Sequence, residues 1–248
     1  MNNSTNRLEN LLEEGYDFNF ADCINQGFKI VNKNIGGFIG YALIYFAITG
    51  VLNLIPIIGG IVQLFTSPPL IVGFYIVAQK IRKEEHYEFG DFFKGFDFFR
   101  PLVGASLLAG LILLFTFVPM GIIIFLLGDM MENPVTDDLS GVAIGLISLF
   151  MFPIIYLITA YNWSSMLIIF HGYSALESMK MSRKLITKRW FLIFGYLILI
   201  SLIGIAGVLL VGIGMLYTVP VFMCANYVVF HEVTKGEEID DVIDHLVE

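Results

Sequence analysis

Charge is what this chain has least of. Asp, Glu, Lys and Arg make up 15% of its 248 residues, where a soluble domain carries about 25%. Hydrophobic residues reach 57%, leaving too little polar surface to cover a water-facing globule. The same balance excludes disorder, which needs low hydrophobicity and high charge. Basic residues are the scarcer sign, 14 against 22 acidic ones, for a net charge of −8. That argues against a nucleic-acid partner. Two cysteines cannot build a disulfide framework. Ionisable groups are missing from the interior of the long apolar runs, and such groups mark proton relays and ion pathways. Proton-coupled pumping and voltage sensing are therefore not expected. The four histidines, His86, His171, His231 and His245, lie at separate connections or run ends without metal-ligand spacing. There is no G-x-S-x-G elbow, P-loop or Rossmann fingerprint. The reading is of a non-enzyme that needs no cofactor.

What the chain does have is apolar length. A bilayer core of roughly 30 Å takes about 20 apolar residues in a helix. Uncharged runs of that order extend over Ile35 to Leu54, Ile57 to Ala78, Leu102 to Leu127, Leu139 to Phe170, Trp190 to Val211 and Ile213 to Phe230. The first two are separated only by the Asn53 to Pro56 turn, and the last two only by Gly212 to Gly214. This predicts an all-α membrane protein of six transmembrane helices in three hairpins. Residues 1–19 form an acidic N-terminal segment, 20–231 the six-helix domain, and 232–248 an acidic tail. The polar, acidic start is the wrong pattern for a cleaved signal peptide.

All 14 Lys and Arg fall on one side of this map. Arg7, Lys29 and Lys33 precede the first span; Lys80 to Arg100 and Lys180 to Arg189 fill the two long connections; Lys235 follows the last span. The hairpin tips carry none, and the middle tip carries Asp129, Glu132, Asp137 and Asp138. By the positive-inside rule both termini are cytoplasmic, and the expected place is a bacterial inner membrane.

The segment from Phe20 matches the one from Ala175 at an offset of 155 residues: Asp22 with Glu177, Lys29 with Lys184, Lys33 with Lys188, Gly40–Tyr41 with Gly195–Tyr196. After a shift at the tip, Pro68 meets Pro220 and Tyr75 meets Tyr227. A looser match at an offset of 69 aligns Phe89 and Asp91 with Phe20 and Asp22. Repeats over about 20–85, 89–172 and 175–237 would be related by an axis along the membrane normal. Each opens with an amphipathic helix expected at the cytoplasmic interface. On a helical wheel the apolar stripes are Phe20, Cys23, Ile24, Gly27, Ile30 and Val31; Phe89, Phe92, Phe93, Phe96 and Phe99; and Ala175, Met179, Ser182 and Ile186. Lys29, Lys33, Lys180, Arg183, Lys184, Lys188 and Arg189 are the candidate contacts for anionic lipid head groups. Positive-inside topology, with the stripes packed on the floor of the bundle, explains the same cations without a ligand.

Pro68, Pro69, Pro153 and Pro220 interrupt the second helix of each pair. If those helices face one axis, kinks there would open a central cavity with Asn162 and Asn226 among its lining. Simple kinking of membrane helices is the plainer reading.

The run Pro69-Leu70-x-x-Gly73, then Arg82-Lys83-Glu84-Glu85, then Asp91-Phe92-Phe93-Lys94-Gly95-Phe96, with Lys33–Asn34 entering the first span, resembles a group of bacterial six-helix membrane families of unknown function. These include the YciC-like proteins and the membrane domain of some glycerophosphodiester phosphodiesterases. The resemblance covers roughly residues 20–235 and implies an inner-membrane protein of three hairpins; it supplies no catalytic residue. The expected role is binding of lipids or membrane-protein partners. The alternative is a facilitator or flippase for a small lipophilic or lipid substrate. Oligomeric state cannot be read from the sequence.

The orientation is checked by thiol labelling in a background lacking Cys23 and Cys224. An impermeant maleimide added to intact spheroplasts should modify Asp137→Cys and reach Lys94→Cys only after lysis. Equal labelling of both before lysis would refute the six-span map.

Overall fold

The computed structural model describes residues 15–55, 57–131, 138–209 and 214–235. Expectations for residues 1–14, for the middle tip at 132–137 and for the tail at 236–248 lie outside the described residues. The described chain is helical, with no strand. In chain order it comprises α1 (Phe20–Lys33), α2 (Ile35–Asn53), α3 (Ile58–Arg82), a 3₁₀ segment (Phe89–Phe98), α4 (Phe99–Met131), α5 (Asp138–Ala160), α6 (Ser164–His171), α7 (Ala175–Lys188), α8 (Trp190–Leu209) and α9 (Met215–Lys235).

The helix starts follow capping chemistry. Asn19 Oδ1 accepts from the backbone N–H of Ala21 at 3.0 Å and of Asp22 at 3.3 Å. Ser174 and Glu177 form a reciprocal capping box, as do Glu88 and Asp91. Asn34 ends α1 and opens α2, its side chain accepting from Gly37 N–H at 3.1 Å. The run Leu139 to Phe170, read as one span, is broken between Ala160 and Ser164. The cause is Ser182: its hydroxyl donates to Ala160 C=O at 2.7 Å and accepts from Trp163 N–H at 3.2 Å. A side chain inserted there takes the place of regular helix bonds.

Among the described residues, five stretches are long and apolar enough to cross a membrane: Ile35–Asn53, Ile58–Arg82, Phe89–Ile122, Met151–His171 and Trp190–Val208. The expectation was six. Helix α9 falls outside the set because Asn226, His231 and Glu232 make it more polar, and it is instead among the most buried elements.

The three short segments dock on longer helices rather than lying apart from them. α1 runs along α9, the 3₁₀ segment along α3, and α7 along α6, α4 and α5. Their inner residues are buried in protein: Cys23, Ile30 and Val31; Phe92; Met179, Leu185 and Ile186. The middle segment departs from the wheel drawn at 3.6 residues per turn. A 3₁₀ turn holds three residues and eclipses i with i+3. Phe92 and Gly95 are therefore buried and Phe98 packs on the core, while Phe96 and Phe99, off that row, stay exposed, as does Phe89 at its first turn.

Each docking depends on a small residue. A Cβ on Gly27 would sit 2.8 Å from both the Cβ and the backbone N of Ala225 in α9. A Cβ on Gly95 would sit 2.0 Å from Pro69 C=O in α3. In α7 the corresponding close contact is Ser182 on Ala160. Small residues let backbones approach where lipid supplies no driving force between helices. Between the long helices, Tyr41 OH donates to Leu70 C=O at 2.7 Å and Tyr196 OH to Ala225 C=O at 3.0 Å, each 29 residues along the chain.

Gly95→Ala is expected to lower stability by about 1–3 kcal/mol through overpacking, read as a fall in melting temperature in detergent. Gly50→Ala, whose Cβ would meet nothing within 4 Å, should leave it unchanged or raise it.

Candidate functional site

The positions singled out from sequence fall into two groups, one at the centre of the bundle and one on its basic face. At the centre, Asn226 of α9 is 1% exposed. Asn162, in the break after α5, donates through Nδ2 to Asn226 Oδ1 at 2.8 Å. Asn226 Nδ2 donates to Tyr75 OH of α3 at 3.4 Å. The second helices of the three helix pairs thus meet in a hydrogen-bonded knot. Tyr75 was assigned to a repeat position but not to this knot. No spacing rule pairs it with Asn226 across 151 residues.

The prolines lie inside their helices without ending them: Pro68 and Pro69 in α3, Pro153 in α5, Pro220 in α9. Pro69 and Pro220 are buried, and the Pro69 carbonyl is covered by Gly95. Thr66 and Thr218 turn their hydroxyls to the carbonyls of Val62 and Gly204.

On the charged face three cations, Lys80, Arg82 and Lys94, are held in ion pairs. Asp91, 5% exposed, accepts from Lys80 at 2.8 Å and from Lys94 at 2.5 Å, and also from the backbone N–H of Glu88 at 2.9 Å. Arg82 pairs with Glu232 and donates to Gln26 at 3.0 Å, which joins α1, α3 and α9. Helical-wheel reasoning placed Asp91 and Lys94 off the apolar side and gave no sign that Asp91 is a buried anchor.

Lys29 and Lys33 project from the exposed side of α1. Lys180, Arg183, Lys184 and Lys188 project from α7, at the i, i+3, i+4 and i+8 spacing of one helix face. Arg183, Lys184 and Lys188 come together around an open cleft with Thr187 and Tyr156, the latter from α5. Tyr156 OH and Thr187 Oγ1 are 2.8 Å apart. Arg189 lies at the α7–α8 junction with its guanidinium against Gly15. Glu177, the one acid of α7, is held by Ser174, whose hydroxyl and N–H donate to it at 2.6 and 3.2 Å. Those bonds lower its pKa below the usual carboxylate value.

The Cys23 thiol is buried under α9, and burial, with Glu232 adding, pushes its pKa up to about 12, so it is not a ready nucleophile. Among the described residues no three His, Cys, Asp or Glu side chains gather as metal ligands. Comparison with protein-family models, curated proteins and solved structures finds no match for this chain.

Replacing Asn226 by Leu leaves Asn162 and Tyr75 without their shared partner and should cost about 1–3 kcal/mol, the penalty of orphaned buried polar groups. Asn162→Leu added to Asn226→Leu should recover part of it. A double-mutant cycle on detergent melting curves measures the coupling, and additive losses would show that the knot is not a unit.

Proposed function

We propose that the chain is a non-catalytic, multi-pass inner-membrane protein that binds anionic lipids on its cytoplasmic face and presents that face to membrane-protein partners. Among the described residues five helices have the length and apolarity to cross a membrane, and α9 supplies the sixth span, kept less apolar by the knot it carries. In this reading the three units form a ring. Two sets of observations support it. First, α2 packs between α3 and α9, α4 between α5 and α3, and α8 between α9 and α5. Second, the short segments begin at Phe20, Phe89 and Ala175, which stand at the offsets of 69 and 155 residues noted in the sequence. Their caps Asn19, Glu88 and Ser174 keep the same register.

The single observation that carries the lipid reading is the charge imbalance on one face. Lys80, Arg82 and Lys94 have acidic partners, while Arg183 and Lys184 have none among the described residues. An anionic leaflet attracts each such cation by about 1 kcal/mol. Transport of a small lipophilic substrate draws on the prolines alone, and a route along the axis would have to part Tyr75, Asn162 and Asn226.

Purification in mild detergent with mixed lipids, followed by native mass spectrometry, should show phosphatidylglycerol retained in preference to phosphatidylcholine. Retention of neither lipid nor any protein would overturn this function.

A further inference from the structure

The proposed ring has three seams, where the first helix of one unit meets the second helix of the preceding one. Two are densely packed: α2 against α9 and α4 against α3. The third, α8 against α5, is the most sparsely packed among the described residues. Rings fill it at its charged end. Trp190 stacks on Phe194 at 4.7 Å, and its ring lies 5.9 Å from Phe152 and 6.3 Å from Tyr156. Phe191 beside it is 81% exposed and Phe152 61%. The Trp190 indole N–H is enclosed and has no hydrogen-bond partner, although an enclosed donor normally finds one. Directly beside this seam is the cleft of Tyr156, Arg183, Lys184, Thr187 and Lys188.

These features suit one kind of ligand. Its charged end needs a compact anion with several acceptor oxygens, matched by the Arg183 guanidinium, the Lys184 ammonium and the one O–H that the Tyr156–Thr187 pair leaves over. The middle lies against the aromatic ring of Trp190, which stands between Phe152 and Tyr156 at the head of α8. The remainder needs apolar chains to lie over Phe152 and Phe191. Trp at the head of an apolar helix belongs at head-group depth. We infer that the α5–α7–α8 seam is a binding site for one anionic phospholipid, its phosphate held by Arg183 and Lys184 and its glycerol-ester region beside Trp190.

This inference rests on the anionic-lipid reading above and narrows it to one site. The test uses the full chain in detergent with equal dioleoyl phosphatidylglycerol and dioleoyl phosphatidylcholine, scored by native mass spectrometry. Arg183→Ala with Lys184→Ala, both at exposed positions, should cut the ratio of bound phosphatidylglycerol to phosphatidylcholine about fivefold or more, the factor expected from even one cation near an anionic head group. Lys29→Ala with Lys33→Ala should lower the ratio by clearly less than the α7 pair does. In nanodiscs, acyl-brominated phosphatidylglycerol should quench the wild-type emission more than brominated phosphatidylcholine, and Trp190→Phe should abolish that difference. A ratio that survives the α7 substitutions, or falls equally with the α1 pair, overturns this site and leaves the broader reading standing. No preference in the wild type removes both. Displacement of the lipid by excess inorganic phosphate would assign the cleft to a free anion and overturn the lipid assignment.

Discussion

Helices surrounded by hydrocarbon gain nothing from burying apolar side chains against one another, because lipid tails are as apolar as leucine. Cohesion then depends on how closely backbones approach and on a few internal hydrogen bonds. This constraint explains why the molecule places its smallest residues where elements cross. Gly27 meets Ala225, Gly95 meets the Pro69 carbonyl, and Ser182 reaches the Ala160 carbonyl. The tyrosine hydroxyls of Tyr41 and Tyr196 act in the same way between long helices, each giving a backbone carbonyl an extra donor. With the Tyr75–Asn162–Asn226 contacts, these make a sparse set of polar links inside an apolar body.

The charged end of the molecule is organised differently. There, ion pairs lock the elements together: Asp91 gathers Lys80 and Lys94, and Arg82 links α3 to α9 and α1. The N-terminal stretch contributes too. Tyr16 OH donates to Leu185 C=O at 2.9 Å, and its ring lies 6.1 Å from Trp163, so the chain crosses α7 before entering α1. Arg183 and Lys184 stand apart from these pairs on the outer face of α7, beside the loosest seam. That unequal distribution of charge gives the proposed lipid site its physical basis.

Function and stability draw on different residues in this picture. The glycines, the tyrosine donors and the asparagine knot hold the bundle, and Tyr156 ties α5 to α7 through Thr187, whereas the exposed side chains of Arg183 and Lys184 contribute little to it. They can therefore be changed without dismantling the fold, whereas Ser182 on the opposite side of α7 cannot, since it bridges the break between α5 and α6.

Composition by itself determined that the protein is helical and apolar enough for a membrane, because too few charges exist to solvate a globule of this size. Periodicity located α1 and α7 and their inner faces, since i, i+3 and i+4 spacing is a local property. The candidate basic residues of α7 were legible for the same reason. Tertiary structure alone decided the rest. The 3₁₀ winding at Phe89–Phe98 and the break at 161–163 are imposed by neighbours, Gly95 seated on Pro69 and Ser182 inserted beside Trp163. The meeting of Asn162, Asn226 and Tyr75, and of Tyr156 with Thr187, joins residues distant in sequence. Such contacts are fixed by how the helices pack in three dimensions, which no one-dimensional spacing encodes.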